Sequence, residues 1–251
     1  MVYVSLSILY GSATSLAAGL ATGIGALPVF LLRNVPEKVM DALVGFAAGV
    51  MLAATFFSLL LPSMEIGGII PASLGLLAGV ATIHLIDRFI PHFHPVTGVE
   101  GGRSKLAKVW LLIIAMTIHN FPEGLAVGVS FGGGAFDVGF TVAIAIGLQN
   151  IPEGLAVAVP LVNEGYGRLK AARYATLTGL VEPVGGVLGA SLVTAFTATF
   201  PWALALAAGA MLYIVSDEMI PESHAKGHER EATLGVISGF IVMMILDTIM
   251  A

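Results

Sequence analysis

The sequence has no cysteine, which excludes disulfides, thiolate zinc sites and thiol catalysis. Charge is also scarce. Only 11% of its 251 residues are Asp, Glu, Lys or Arg, against about 25% in a soluble domain. That is too little charge to cover a soluble surface of this size, so an ordinary cytoplasmic enzyme, a nucleic-acid binder and a disordered chain are all excluded. Two signatures are missing as well. There is no basic start followed by a short apolar core, the mark of a cleaved leader. There is no Gly-x-x-x-x-Gly-Lys-Ser/Thr loop for a nucleotide. What is abundant is apolar: 57% of residues are hydrophobic, and the mean hydropathy is +0.95.

A membrane-spanning helix needs about 20 apolar residues. Eight stretches qualify, at roughly 4–32, 40–61, 70–90, 107–131, 138–160, 171–197, 201–220 and 233–250, joined by short linkers. The chain therefore reads as an all-α integral membrane protein, one transmembrane domain over 1–251, with the lipid bilayer as its partner and no nucleic acid. The first span is long enough to need a tilt or a kink, for which Gly23, Gly25 and Pro28 are candidates.

All 11 Lys and Arg lie in or beside alternate connections. Arg33 and Lys38 follow span one; Arg88, Arg103, Lys105 and Lys108 follow span three. Arg168, Lys170 and Arg173 follow span five; Lys226 and Arg230 follow span seven. By the positive-inside rule these connections are cytoplasmic and both termini extracytoplasmic. The expected location is the inner (plasma) membrane, crossed many times.

One segment recurs. His119-Asn-Phe-Pro-Glu-Gly-Leu-Ala-Val returns 30 residues later as Gln149-Asn-Ile-Pro-Glu-Gly-Leu-Ala-Val. The copies lie on consecutive, oppositely directed spans, so they form an inverted pair. Secondary transporters place substrate sites at such repeat interfaces, on Pro/Gly-interrupted helices near the midplane.

The polar residues of these spans sit near their middles. Span four carries His119, Asn120 and Glu123, span five Gln149, Asn150 and Glu153, span six Glu182. Residues three and four apart share a helix face, so His119 and Asn120 are expected to converge with Glu123, and Gln149 and Asn150 with Glu153. A charge at that depth costs about 2.5–3.5 kcal/mol on insertion scales. No Lys or Arg lies at matching depth, so a bound cation is the economical counter-charge. Imidazole plus carboxylates suits zinc, iron or manganese. Pro122, Pro152 and Pro183 free the carbonyls of Ile118, Leu148 and Gly179, which are further oxygen ligands or face a hydrated path. A lone kink, a lone membrane His or a lone Glu each has an ordinary packing explanation. Seven such residues at one depth do not.

The two Asn-x-Pro-Glu-Gly motifs, Glu182-Pro183 and Thr22-Gly-Ile-Gly-Ala-Leu-Pro28 together resemble the ZIP (Zrt/Irt-like protein) divalent metal transporters, most closely the prokaryotic GufA-like branch. The similarity covers all eight spans. It implies Zn2+ as the transported substrate, often with Fe2+, Mn2+, Co2+ or Cd2+, moved into the cytoplasm without an organic cofactor. It also implies eight helices arranged 3+2+3 with inverted repeats, a homodimer and elevator-like motion.

By position, the resemblance assigns His119, Glu123, Gln149 and Glu153 to the primary transport site, and adds Met51 of span two. Asn120, Glu123, Asn150, Glu153 and Glu182 match an adjacent second site bridged by the two Glu. Some relatives have Asp where this chain has Asn150, so one full site with a partial neighbour is expected. Glu65 and Asp247 resemble the family's entrance acids. His84 and Asp87, and Asp217, Glu218, Glu222 and His224, fall where the family has exit or regulatory metal sites. His92, His94 and His228 read more simply as solvated loop residues.

A passive divalent-metal channel remains open beside a carrier. An intramembrane metalloenzyme has little support, since His-Glu-x-x-His is not present. A metal-sensing receptor would carry a soluble output domain, and the chain reads as none. The expectation is a transporter and not an enzyme.

Overall fold

The computed structural model describes residues 2–32, 35–94, 98–101, 106–134 and 136–250. Arg33, Arg103 and Lys105 lie outside these, as does the side chain of His94. Among the described residues, eight helices are long and apolar enough to cross a membrane.

Helix α1 (Val2–Ala26) ends in a 3-10 turn, Leu27–Phe30. Helix α2 (Glu37–Ala54) passes through a π-helical turn, Thr55–Leu60, into α3 (Leu61–Gly67), and α4 (Ile69–Phe89) returns. A short antiparallel ribbon follows, β1 (His92–His94) and β2 (Gly98–Glu100), with His92 opposite Glu100. Helices α5 (Lys108–Gly132) and α6 (Phe136–Asn163) are continuous through Pro122, Pro152 and Pro160. Span six is two helices, α7 (Arg168–Gly179) and α8 (Glu182–Ala195). Span seven joins α9 (Phe200–Ile214) through a second π turn, Val215–Met219, to α10 (Ile220–His224), and α11 (Glu229–Met250) closes the chain.

Proline explains the irregular turns. Pro62 and Pro221 each follow a π turn directly or within two residues. Each lacks the N–H that would reach the carbonyl four residues back, and its ring crowds that carbonyl. A wider turn accommodates both effects. In span six the helix stops at Leu180–Val181, and Pro183 falls in the first turn of α8, where no N–H is required. The break leaves Glu182 at the start of a helix in the middle of a span.

Three expectations need correction. Helix α1 is regular through Gly23 and Gly25, and its irregularity is confined to the 3-10 turn at Pro28. The two glycines instead let other helices close in: a Cβ on Gly25 would overlap the Ile151 backbone, and one on Gly23 would press on Thr176. The third connection contains a β-ribbon rather than a plain linker. Spans two and seven run on to Gly67 and His224, so Glu65, Asp217, Glu218, Glu222 and His224 all stand on helices.

The helices pack in two groups. In one, α1 lies against α6, α7 and α8, and α5 against α8 and α6. In the other, α2 lies along α11 and α4 along α9. The groups meet chiefly where α2 touches α6 and α5 touches α9. Without a hydrophobic drive between helices in lipid, close backbone approach at small residues does much of the holding. A Cβ on Gly19 would overlap the Gly179 carbonyl, and one on Gly179 the Gly19 carbonyl. Gly124 stands in the same way on the Glu182 backbone, and Gly154 on that of Thr22. Helices α4 and α11 bury the least surface and present Leu77, Leu85, Ile237 and Ile249 outward.

These contacts follow a second internal repeat, longer than the motif pair. Ala47-Ala48-Gly49-Val50-Met51-Leu52 matches Ala207-Ala208-Gly209-Ala210-Met211-Leu212 at a constant offset of 160 positions. Gly75, Gly79 and Asp87 match Gly235, Gly239 and Asp247, and Gly19 matches Gly179, at the same offset. The packing repeats with the sequence: α2 lies on α11 as α9 lies on α4.

Candidate functional site

His119, Asn120, Glu123, Gln149, Asn150, Glu153, Glu182 and Met51 are all buried, at mid-depth of their spans. The motif repeat places them: Pro122 and Pro152 lie two residues past Asn120 and Asn150, and Gly124 and Gly154 allow neighbouring backbones to reach the same level.

Most of these polar side chains are bonded to one another or to the backbone. Gln149 Nε2 donates to Glu123 Oε1 at 2.6 Å and lies 3.5 Å from Glu153 Oε1. Asn150 Nδ2 donates to Glu182 Oε1 at 2.7 Å and to the Ala18 carbonyl at 2.7 Å. His119 Nε2 lies 2.5 Å from Glu218 Oε2. The imidazole thus also reaches the π turn after α9, while His119 and Glu123 line one small cavity together. Because each carboxylate is engaged by an amide or imidazole, no three His, Asp or Glu side chains among the described residues are gathered closely enough to hold an ion as they stand.

What remains is a set of unused oxygens. Glu123 Oε2, Gln149 Oε1, Asn150 Oδ1, Glu153 Oε2 and Glu182 Oε2 are buried with no hydrogen-bond partner among the described residues, as are both amide atoms of Asn120. A buried polar atom left unpaired costs about 1–3 kcal/mol, so many at one depth call for an explanation beyond packing. A cavity of about 30 Å3 reaches this region, lined by Met51, His119, Glu123, Glu153, Glu218 and Glu222 among others. That is room for an ion and little else.

The small cavity shares Val44, Ala156 and Glu222 with a larger one of about 410 Å3. The larger is bordered by Glu37, Asp41, Lys108, Glu164, Glu222 and Lys226. The larger cavity thus lies beside the smaller one, toward the end of the molecule where Lys108 and Lys226 stand.

The other candidates are more dispersed. Ser58 Oγ donates to Asp247 Oδ1 at 2.6 Å, joining α11 to the first π turn, while Glu65 is exposed. His84 Nδ1 is 3.2 Å from the exposed-side Tyr213 hydroxyl. Asp87 is buried, with His92 Nε2 3.9 Å away. Asp217 is exposed, and Glu222 borders both cavities. His224 has both ring nitrogens engaged, with Ile220 and Ser223 on one side and Thr233 on the other, and does not face the site. His92 is 1% exposed and not a solvated loop residue, its Nδ1 held at 2.6 Å by the Ile90 carbonyl. His228 Nδ1 meets Asp41 Oδ2 at 2.8 Å, with Lys226 near the same carboxylate at 3.9 Å.

Sequence reasoning missed Asp41, Glu37 and Glu164, which line the larger cavity, and Ser58. An acid one turn inside an apolar span, as Asp41 is, was the available signal. Ser58 gave none, because a lone Ser in a span is ordinary.

A family model described as "ZIP Zinc transporter" matches residues 94–247. "Zinc transporter GufA" of Myxococcus xanthus is 44% identical over 94% of this chain and 97% of the relative. "Zinc transporter ZIPB" of Bordetella bronchiseptica is 42% identical over 98% of this chain and 82% of the relative. "Zinc transporter ZIP11" of Homo sapiens is 35% identical over 90% and 93%.

Proposed function

The chain belongs to the ZIP family of zinc transporters, and from that membership and the site geometry we propose that it carries Zn2+ across the plasma membrane into the cytoplasm. Fe2+, Mn2+, Co2+ and Cd2+ are further substrates of the same donor set. The observation that carries the proposal is the group of partnerless carboxylate and amide oxygens beside a cavity that His119 and Met51 also line.

His119, Glu123, Gln149 and Glu153 are the primary ligands, with the Met51 thioether alongside. Asn120, Asn150 and Glu182, with the two bridging Glu, make a second and weaker position. The imidazole and thioether give the first position its preference for softer transition metals. Glu65 and Asp247 belong to the outer approach. Glu218 and Glu222 lie on the way out, with Asp217, Asp87, His84 and His224 around the exit. His224 enters that group only if its present hydrogen bonds exchange.

Orientation follows from charge, while the inward direction is what the family resemblance implies. The larger cavity opens beside Lys108 and Lys226, and basic connections are cytoplasmic. Both termini are then outside. Movement is elevator-like: the group α1 with α5–α8 holds seven of the eight proposed ligands of the two positions, and slides against the group that contributes Met51 and Glu218. A 3+2+3 arrangement, spans four and five between inverted triplets, is supported by the offset of 160 positions. The same reading takes the protein to be a homodimer.

The test is uptake of Zn2+ into proteoliposomes of fixed internal pH, with competing divalent ions. Saturable uptake that zinc competitors suppress is expected. Flux linear in the gradient to high concentration would favour the second reading, a passive metal channel. No zinc flux in either direction would overturn both.

A further inference from the structure

Threonine hydroxyls inside membrane helices have a default partner, the carbonyl four residues back. This chain uses it repeatedly: Thr14 donates to Tyr10, Thr82 to Ala78, Thr117 to Ile113, Thr176 to Ala172 and Thr194 to Ala190, at 2.7–2.9 Å. Thr22 does not. Its default partner would be the Ala18 carbonyl, and that carbonyl already accepts Asn150 Nδ2 at 2.7 Å. Thr22 is wholly buried, and its Oγ1 has no hydrogen-bond partner among the described residues.

Its neighbourhood is specific. A Cβ on Gly179 would lie 2.7 Å from Thr22 Oγ1, and a Cβ on Gly19 would lie 3.3 Å from Glu182 Oε1. Thr22 and Glu182 therefore reach across the crossing of spans one and six from opposite sides, each onto the other span's glycine. They are also repeat mates, 160 positions apart like Gly19 and Gly179. The two motifs relate Asn120 to Asn150 at their own spacing of 30 positions. In one half the amide is joined to the acid of span six, Asn150 Nδ2 to Glu182 Oε1 at 2.7 Å. In the other half the corresponding atoms, Asn120 Oδ1, Asn120 Nδ2 and Thr22 Oγ1, are all buried and partnerless.

We propose that the Thr22 hydroxyl oxygen is a ligand of the second divalent cation, completing from α1 the position to which α8 supplies Glu182 and α5 supplies Asn120. The inference rests on the transport reading above and extends it to a residue of span one. The ligands of this position are then all oxygen, an arrangement that suits harder divalent ions than the His- and Met-containing first position does. A neutral hydroxyl at the place occupied by a carboxylate in the other half also makes the position less negative, hence weaker than the first.

The experiment is Zn2+ titration by calorimetry of the purified full chain, comparing wild type, Thr22→Val and Thr22→Ser. The wild type is expected to show a tight step and a weaker one. Thr22→Val, of the same shape, should weaken the second step at least tenfold and leave the first within about twofold; Thr22→Ser should keep both. Metal-free melting is a second readout. A hydroxyl without a partner contributes nothing to the empty protein, so Thr22→Val should melt no lower than wild type. Retention of the second step in Thr22→Val, its loss in Thr22→Ser, or a lower metal-free melting point for Thr22→Val would overturn the proposal. So would a wild type with one step only, which leaves the transport reading standing. A wild type that binds no zinc overturns both.

Discussion

His119 Nε2 sits 2.5 Å from Glu218 Oε2, and this pair crosses the boundary between the two helix groups. A metal that takes the imidazole as ligand must either part the pair or include Glu218. A hydrogen bond to a charged group is worth about 1.5–3 kcal/mol. Melting of His119→Ala, Glu218→Gln and the double variant should show a coupling of about that size without metal. With saturating zinc it should fall toward zero. A coupling unchanged by zinc would mean that His119 stays on Glu218 throughout.

Glu123→Gln and Glu153→Gln each keep the shape of the side chain and remove a charge. Zinc affinity should drop by about 3–5 kcal/mol in each, as when one partner of a buried charged pair is removed. Asn150→Ala should lose much less. Equilibrium binding to the three variants decides the matter, and wild-type affinity in both Gln variants would remove the two Glu from the site.

Asn150→Asp should act in opposite directions with and without metal. It loses both amide donations, to Ala18 and to Glu182, and sets two carboxylates side by side. The empty protein should melt lower. Zinc should recover more melting temperature than in wild type, with fuller occupancy of the second position. Equal occupancy in the two proteins would contradict this.

Acid should weaken zinc binding, because His119 ligates as the neutral imidazole and the Glu as carboxylates. Protons held by the empty site are released when the ion enters. Calorimetry in buffers of different ionisation enthalpy between pH 5.5 and 7.5 measures that release. It should be smaller for His119→Ala; equal release would show that the carboxylates alone carry it.

The chain has no native cysteine, so single-cysteine labelling is unambiguous. Glu100→Cys on β2 should react with an impermeant thiol reagent only when the cytoplasmic face is exposed. Labelling from outside alone would reverse the orientation.

Eight spans and the seven-residue polar belt were legible because each is a local property: apolar runs of spanning length, and polar residues three or four apart on one face. What a side chain bonds across the bundle was not. Nothing near position 119 in the sequence announces Glu218, and nothing near Ser58 announces Asp247. The break before Glu182 was half legible, since Pro183 marked the place but not whether the helix would stop there or continue, as it does through Pro122 and Pro152. The repeat of 160 positions was readable, yet only glycines and scattered apolar residues carry it, and those are common everywhere in this composition.

The two π turns have a consequence for the internal repeat. The offset between the halves is 160 at Met51 and Met211, drops to 159 at Pro62 and Pro221, and stays there at Gly68 and Gly227, both of which have positive φ. It is 160 again at Gly75 and Gly235. The slip falls within the π turns, six residues long in one half and five in the other. One residue of difference between the two halves is taken up as a looser coil inside the membrane, and balanced by one residue in the turn that follows. A one-residue shift that would break a straight helix is held inside it.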